Sequence, residues 1–201
     1  MSKSYELNQE FWNLQNKALP QQGSLLISDP FSQDSLFKRS VVLLTEHNHE
    51  GTIGFILNKP VEVKLNEIIT SFPAFDATIS IGGPVANDSL YFIHSLGSKI
   101  PNSQQITENV FWGGSFEILR LLIETNSIKK HEVRFFIGYS GWKSKQLDEE
   151  LTNKYWIVTP HVPKGINLMT DSNEDIWRIA VDSMGKRLKM WRNVPENPLF
   201  N

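Results

Sequence analysis

Two β-rich runs, Ser40-Val-Val-Leu-Leu-Thr45 and Thr52-Ile-Gly-Phe-Ile-Leu57, flank the short polar stretch Glu46-His47-Asn48-His49-Glu50-Gly51. Runs of β-branched and aliphatic residues joined by a brief polar, glycine-ending segment read as an antiparallel hairpin. Asn58-Lys59-Pro60 closes it, because proline cannot donate to a continuing ladder. Gly54 inside the second run predicts a bulge or a close backbone approach. This hairpin commits the chain to a sheet, and every other element has to be placed around it.

Upstream, Leu7, Phe11 and Leu14 recur at helical spacing over residues 1–19, and Pro20 ends that helix. Leu25-Leu26-Ile27 reads as a buried strand stopped by Asp29-Pro30. Downstream, residues 64–72 fit a short helix, Thr78–Ile81 a brief strand running into Gly82-Gly83-Pro84, and Ser89–Ser95 a further strand. Ser115 caps a helix whose Phe116, Leu119, Leu122 and Ile123 form an apolar stripe. Glu132–Tyr139 is a strand ended by Gly138-Tyr139-Ser140-Gly141-Trp142. A helix near Gln146–Leu151, a strand at Trp156-Ile157-Val158 and a helix over about 173–185 follow; in the last, Ser172 is the cap and Ile176, Ile179, Ala180 and Met184 face inward. Hairpins alternate with isolated helices and no regular βαβ repeat is visible. The expectation is an α+β fold: one domain over residues 1–201 with a bulged, mostly antiparallel sheet flanked by short helices.

Composition removes several function classes. The 201 residues include no cysteine, which excludes disulfides, thiolate metal sites and a cysteine nucleophile. Net charge is −2 and the isoelectric point is near 6.2, so the chain as a whole exerts no pull on nucleic acid. No secretory signal or membrane-length apolar stretch is present, so a cytoplasmic location without membrane contact is expected.

The chemical motifs are incomplete. Neither a Walker-type phosphate loop nor a dinucleotide fingerprint occurs. Gly82-Gly83-Pro84 offers backbone N–H groups, but a tight turn with positive φ at the glycines accounts for it more simply. Gly138-Tyr139-Ser140-Gly141-Trp142 resembles a nucleophile elbow, yet Trp142 stands where a small residue is required. Glu46, His47, His49 and Glu50 form the densest titratable cluster, able in principle to hold a metal or act as a base. A solvated hairpin tip is the simpler account, and no metal or cofactor is expected. His94 ends an apolar strand and reads as a core histidine. Lys186-Arg-Leu-Lys-Met-Trp-Arg192 alone interleaves basic and aromatic residues as base-stacking proteins do.

Several segments together resemble the AlgH/YqgE family of bacterial proteins. They are Gly23-Ser-Leu-Leu-Ile-Ser-Asp-Pro30, Phe37-Lys-Arg-Ser-Val-Val-Leu-Leu-Thr-Glu-His47, Gly51-Thr-Ile-Gly-Phe-Ile-Leu-Asn-Lys-Pro60, Gly82-Gly-Pro-Val85, Leu90-Tyr-Phe-Ile-His94, and Arg134-Phe-Phe-Ile-Gly-Tyr-Ser-Gly-Trp142 with Gln146-Leu147 and Trp156. The resemblance covers about residues 23–160 and implies an α+β domain with a bulged sheet. It implies no established activity, although one member is named as a regulator of alginate production. Where the family reads Gly-Trp-Gly-x-Gly-Gln-Leu, this chain has Gly-Trp-Lys-Ser-Lys-Gln-Leu, with Lys143 and Lys145 in place of two glycines. Those cations favour an anionic partner.

The motif residues suggest a ligand cleft framed by Glu46, His47, Asn58, Gly82, Gly83, His94, Trp142 and Gln146, with no catalytic residue assigned. The leading expectation is a non-enzymatic binding or regulatory module for a small molecule or a protein. The alternatives are an enzyme with a polar site of Glu46, His47, Asn58 and His94, and a transcriptional regulator contacting DNA through Lys186–Arg192.

Overall fold

The computed structural model describes residues 18–32, 34–70, 72–173, 175–185 and 188–194. The helix read over 1–19, with Leu7, Phe11 and Leu14, lies almost wholly outside them, as does the Lys186-Arg187 pair.

The hairpin is present as β2 (Val41–His47) and β3 (Gly51–Ile56), paired antiparallel. Its register shifts between Leu44 and Glu46, opposite Gly54 and Ile53, so a bulge sits where the strand glycine suggested one. A Cβ on Gly54 would lie 2.7 Å from Leu43 O and 2.8 Å from Val42 Cγ1, so the close approach is real too. β1 (Leu25–Ser28) pairs antiparallel with β2 on one side and with β9 (Trp156–Thr159) on the other. Val41 to Leu44 are all fully buried, because alternate side chains enter two separate apolar layers. Leu25, Val41, Leu43 and Phe55 face one layer; Leu26, Val42, Leu44 and Ile56 face another.

The longest strand, β8 (Val133–Lys143), organises the sheet. Its first half pairs antiparallel with β5 (Val85–His94) and parallel with β4 (Ile79–Ile81). Its second half pairs antiparallel with β3, from Gly54↔Ser140 to Gly51↔Lys143. Gly138 divides the halves at φ +66°, and a Cβ there would lie 2.7 Å from both Gly83 O and Val85 O. Gly138-Tyr139-Ser140-Gly141-Trp142 is therefore the strand's continuation and not its end, a correction to the sequence reading. The glycines interrupt the side-chain pattern and Gly138 kinks the backbone, yet the strand resumes pairing directly beyond it. A hairpin of β6 (Gln104–Thr107) and β7 (Val110–Trp112), which no sequence signal announces, lies beside β5. Among the described residues the strand order is β6-β7-β5-β8-β3-β2-β1-β9, with β4 joined to β8. The architecture is α+β with a mostly antiparallel, bulged sheet, as expected.

Helices cover the sheet layers. α1 (Leu65–Ile68) and α2 (Phe116–Glu124) belong with the layer of Phe92, Val133 and Phe135, where Leu65, Leu119 and Ile123 are buried. Ser115 Oγ accepts from Ile118 N at 3.3 Å, the cap predicted for α2. α3 (Gln146–Thr152) brings Leu147 against Leu26, Val42, Trp142 and Trp156. α4 (Asp175–Ser183) buries Ile176, Trp177, Ala180 and Val181 against the remaining layer. Trp177 and Val181 complete its inward face, Ile179 is half-buried, and Met184, just past the helix end, packs partly buried against the same layer as expected; Asn173 Oδ1 accepts from Asp175 N at 3.0 Å.

Candidate ligand-binding cleft

The end of β8 and the start of α3 form one wall of two adjoining hollows that share Gly141, Trp142 and Gln146. The first, a cavity of about 620 Å³, lies between this wall and the Asp29–Phe37 loop, with β9 supplying Trp156. The second, about 440 Å³, extends toward the β2–β3 tip and includes Glu46, Glu50 and Lys143.

Glu150 is the most constrained polar group of the first hollow. Its Oε2 accepts from both indole N–H groups, Trp142 Nε1 at 2.8 Å and Trp156 Nε1 at 2.7 Å, while Oε1 accepts from Gln146 Nε2 at 3.0 Å. Gln146 Oε1 in turn accepts from Lys143 N at 3.0 Å, joining α3 to the end of β8. Gln146 and Glu150 are four apart on a helix and so share a face. The two indoles stand edge to face, with centroids 5.9 Å apart, and Phe37 packs edge-on against Trp156 at 5.4 Å. Asp29 turns its Oδ1 to Phe31 N at 2.7 Å, and burial raises its carboxyl above the usual range. Asp34 also lines the cavity, with its Oδ1 accepting from Leu36 N at 2.8 Å. Phe31 and Tyr155 line it while remaining 51% and 60% exposed.

Of the eight residues expected to frame a cleft, Glu46, Trp142 and Gln146 meet in the second hollow. His47 lies beside it, its Nδ1 2.7 Å from Oγ1 of Thr52, a lining residue. The other four are placed elsewhere. His94 pairs with Val133 at the start of β8, whereas Trp142 pairs with Thr52 near its end. Those two positions of β8 are nine residue steps apart, about 30 Å of strand path. His94 is fully buried; Nδ1 accepts from Leu96 N at 3.2 Å, Nε2 lies 2.9 Å from Ser103 Oγ, and its ring stacks on Phe111. Burial lowers its pKa to about 4. Asn58 is equally occupied: Oδ1 accepts from Val41 N at 2.9 Å and Nδ2 donates to Arg39 O at 2.7 Å. Gly82 N donates to Ile137 O at 2.8 Å, so its N–H is not free for an anion. Cβ atoms on Gly82 and Gly83 would lie 2.3 Å from Gly138 O and 2.2 Å from Tyr139 C, so crossing of backbones explains these glycines.

Asp29, Glu150, Tyr155 and Trp156 were not singled out as site residues from the sequence. The i,i+4 spacing of Gln146 and Glu150 was the available signal; convergence of two indoles from separate strands has no sequence signature. Ser140 is fully buried and donates from Oγ to Gly82 O at 3.0 Å, a structural bond. At the hairpin tip Asn48 Oδ1 accepts from Glu50 N at 2.8 Å and Asn48 Nδ2 donates to Glu46 Oε1 at 3.0 Å. Among the described residues no group of three or more His, Asp or Glu side chains is placed to hold a metal ion. In the basic C-terminal segment Trp191 is buried and stacks on Trp177 at 6.5 Å, while Arg192 pairs with Asp182 at 3.0 Å. Lys145 precedes α3 at φ +66°, the left-handed conformation that glycine adopts without cost. A glycine at this position would meet the same backbone requirement without the strain that the lysine bears.

Comparison with known proteins agrees with the fold and the motifs. A family model described as AlgH-like matches residues 25–189. A UPF0301 protein of Bacteroides thetaiotaomicron is 37% identical over 188 residues, covering 92% of this chain and 94% of the relative. One from Chlorobaculum parvum is 41% identical over 179 residues, covering 89% and 95%. The crystal structure of a Corynebacterium diphtheriae protein superposes with a TM-score of 0.71 at 22% identity, over 90% of this chain and 96% of that one. The solution structure of AlgH from Pseudomonas aeruginosa gives 0.69 at 24% identity, over 89% and 97%. At those identities the two structures bear on the fold alone. With its motifs in family order and the family model spanning most of its length, the chain belongs to the AlgH-like family.

Proposed function

We propose that this protein is a non-enzymatic binding module, regulatory in role, whose ligand occupies the hollow around Glu150. The observation that carries the reading is the Glu150 carboxylate held by two indoles and an amide at the wall of a 620 Å³ cavity. A fixed polar group among aromatic walls is the usual construction of a small-ligand site. Exposed Phe31 and Tyr155 at the same cavity add apolar surface that a ligand or a partner's side chain would cover.

The enzyme reading that joined Glu46, His47, Asn58 and His94 loses support, because Asn58 and His94 spend their polar atoms on other groups of the fold. The DNA reading loses support from the burial of Trp191. A cytoplasmic location belongs to the same proposal, drawn from the cysteine-free composition, and cell fractionation checks it.

A thermal-shift screen with metabolites, nucleotides, metal ions and small anions tests the function. At least one compound is expected to raise the Tm of the wild type and to leave that of Glu150→Gln unchanged. Turnover of a panel compound that disappears on changing Glu46 or His47 would replace this reading with an enzyme.

A further inference from the structure

We infer that the hollow between the Asp29–Phe37 loop and α3 takes an organic cation, an alkylammonium or guanidinium group borne by a small molecule or by a basic side chain of a partner protein. The inference rests on the binding-module reading and adds the ligand's chemical class.

The cavity and its exposed rings come first. At about 620 Å³ it accommodates a metabolite or one long side chain. Phe31 and Tyr155 line it with half or more of their surface still open to solvent, and the buried Trp142 and Trp156 line it as well. Aromatic faces attract cations, and an apolar wall also covers the methylene stem behind a charged head.

Charge then selects among ligands that would accept such walls. Asp29, Asp34 and Glu150 line the hollow, and its described lining includes no lysine, arginine or histidine. An anion would therefore meet three carboxylates without a counter-charge. Carboxylates only accept hydrogen bonds when ionised, so the ligand must donate. The indole donors cannot compensate, because both are already directed to Glu150 Oε2. Lys143 lies in the adjoining hollow, where Glu46 and Glu50 accompany it. Lys143 thus does not convert this cavity into an anion site, and Lys145 lines neither hollow.

Isothermal titration of the full chain at low ionic strength tests the inference. The cation probes are spermidine, for a free amine, and the capped tripeptide acetyl-Gly-Lys-Gly-amide, for a protein side chain. The controls are the same tripeptide with norleucine, glucose and succinate. At least one cation probe is expected to bind one to one, with the controls at least tenfold weaker; the tighter arm identifies the source. Glu150→Gln and Tyr155→Ala should each weaken that probe at least fivefold. Tyr155 is exposed, so its variant keeps the test decisive should Glu150→Gln fail to fold. Failure of both cations to bind overturns the inference, as does binding that both variants leave intact. Glucose or succinate binding that Tyr155→Ala abolishes would also overturn it while leaving the cleft a ligand site.

Discussion

Glu150 is an acceptor shared by two donors that the fold has already removed from water. Trp142 and Trp156 are both buried, and this carboxylate is the acceptor that each indole N–H uses. Truncation to Glu150→Ala should cost about 2–4 kcal/mol, since each orphaned buried donor costs roughly 1–3 kcal/mol. Glu150→Gln keeps one acceptor oxygen and should cost less than half as much; urea denaturation compares the two. His94 supplies a pH dependence. Its folded pKa is about 4 against 6.5 for an unperturbed imidazole. Between those values the unfolded chain binds a proton that the folded chain refuses, so stability rises with pH across pH 4 to 6.5 and is lost as pH falls. The full span is on the order of 3 kcal/mol, and His94→Asn should flatten that part of the stability–pH curve. At Lys145 the direction reverses. The side chain occupies a left-handed position that costs an L-residue about 1–2 kcal/mol, partly offset by the lower chain entropy of a non-glycine. Lys145→Gly should raise stability by about 0.5–1 kcal/mol in the same assay.

At the scale of elements, the fold turns on how β8 passes β4 and β3. Gly82, Gly83 and Gly138 let two backbone segments, residues 82–85 and 138–140, cross where a Cβ would fall within 2.7 Å of main-chain atoms. Gly83→Ala must displace β8 itself, and a loss of more than about 3 kcal/mol or outright misfolding is expected, visible as loss of soluble protein or a collapsed Tm. The same crossing explains what the sequence could and could not reveal. The β2–β3 hairpin was legible because aliphatic runs flank a polar tip, and the Ser115 cap because its hydroxyl precedes an apolar stripe. The second half of β8 was hidden because Gly138, Tyr139, Ser140 and Gly141 have the composition of a turn. β6 and β7 were hidden because Gln104–Thr107 and Val110–Trp112 are too short for periodicity to register. In the cleft, Glu46, Trp142 and Gln146 were legible through their motif. Asn58 and His94 misled for a physical reason: a polar side chain that satisfies buried backbone groups looks, in sequence, like one reserved for a ligand.

At the scale of the molecule, one buried cation ties distant segments together. Arg134, fully buried on β8, donates from Nη1 to Leu168 O at 3.0 Å and to Asp171 O, and from Nη2 to Leu57 O and to Ser80 Oγ at 3.3 Å. Burial lowers its pKa to about 9, which leaves the guanidinium charged at neutral pH. Arg134→Met would leave several carbonyls without donors and should cost about 3–5 kcal/mol, measured by chemical denaturation. With β8 anchored in this way, its far end presents Trp142 on a rigid wall, and α3 brings Glu150 to it. The central claim is that this wall is where the protein binds its ligand. The indole region of a ¹⁵N–¹H correlation spectrum reads it directly, recorded while adding any compound that raises the Tm. The account predicts progressive shifts of the Trp142 and Trp156 indole signals, with those of Trp112 and Trp191 unmoved. Shifts at Trp112 or Trp191 with Trp142 and Trp156 unchanged would contradict it.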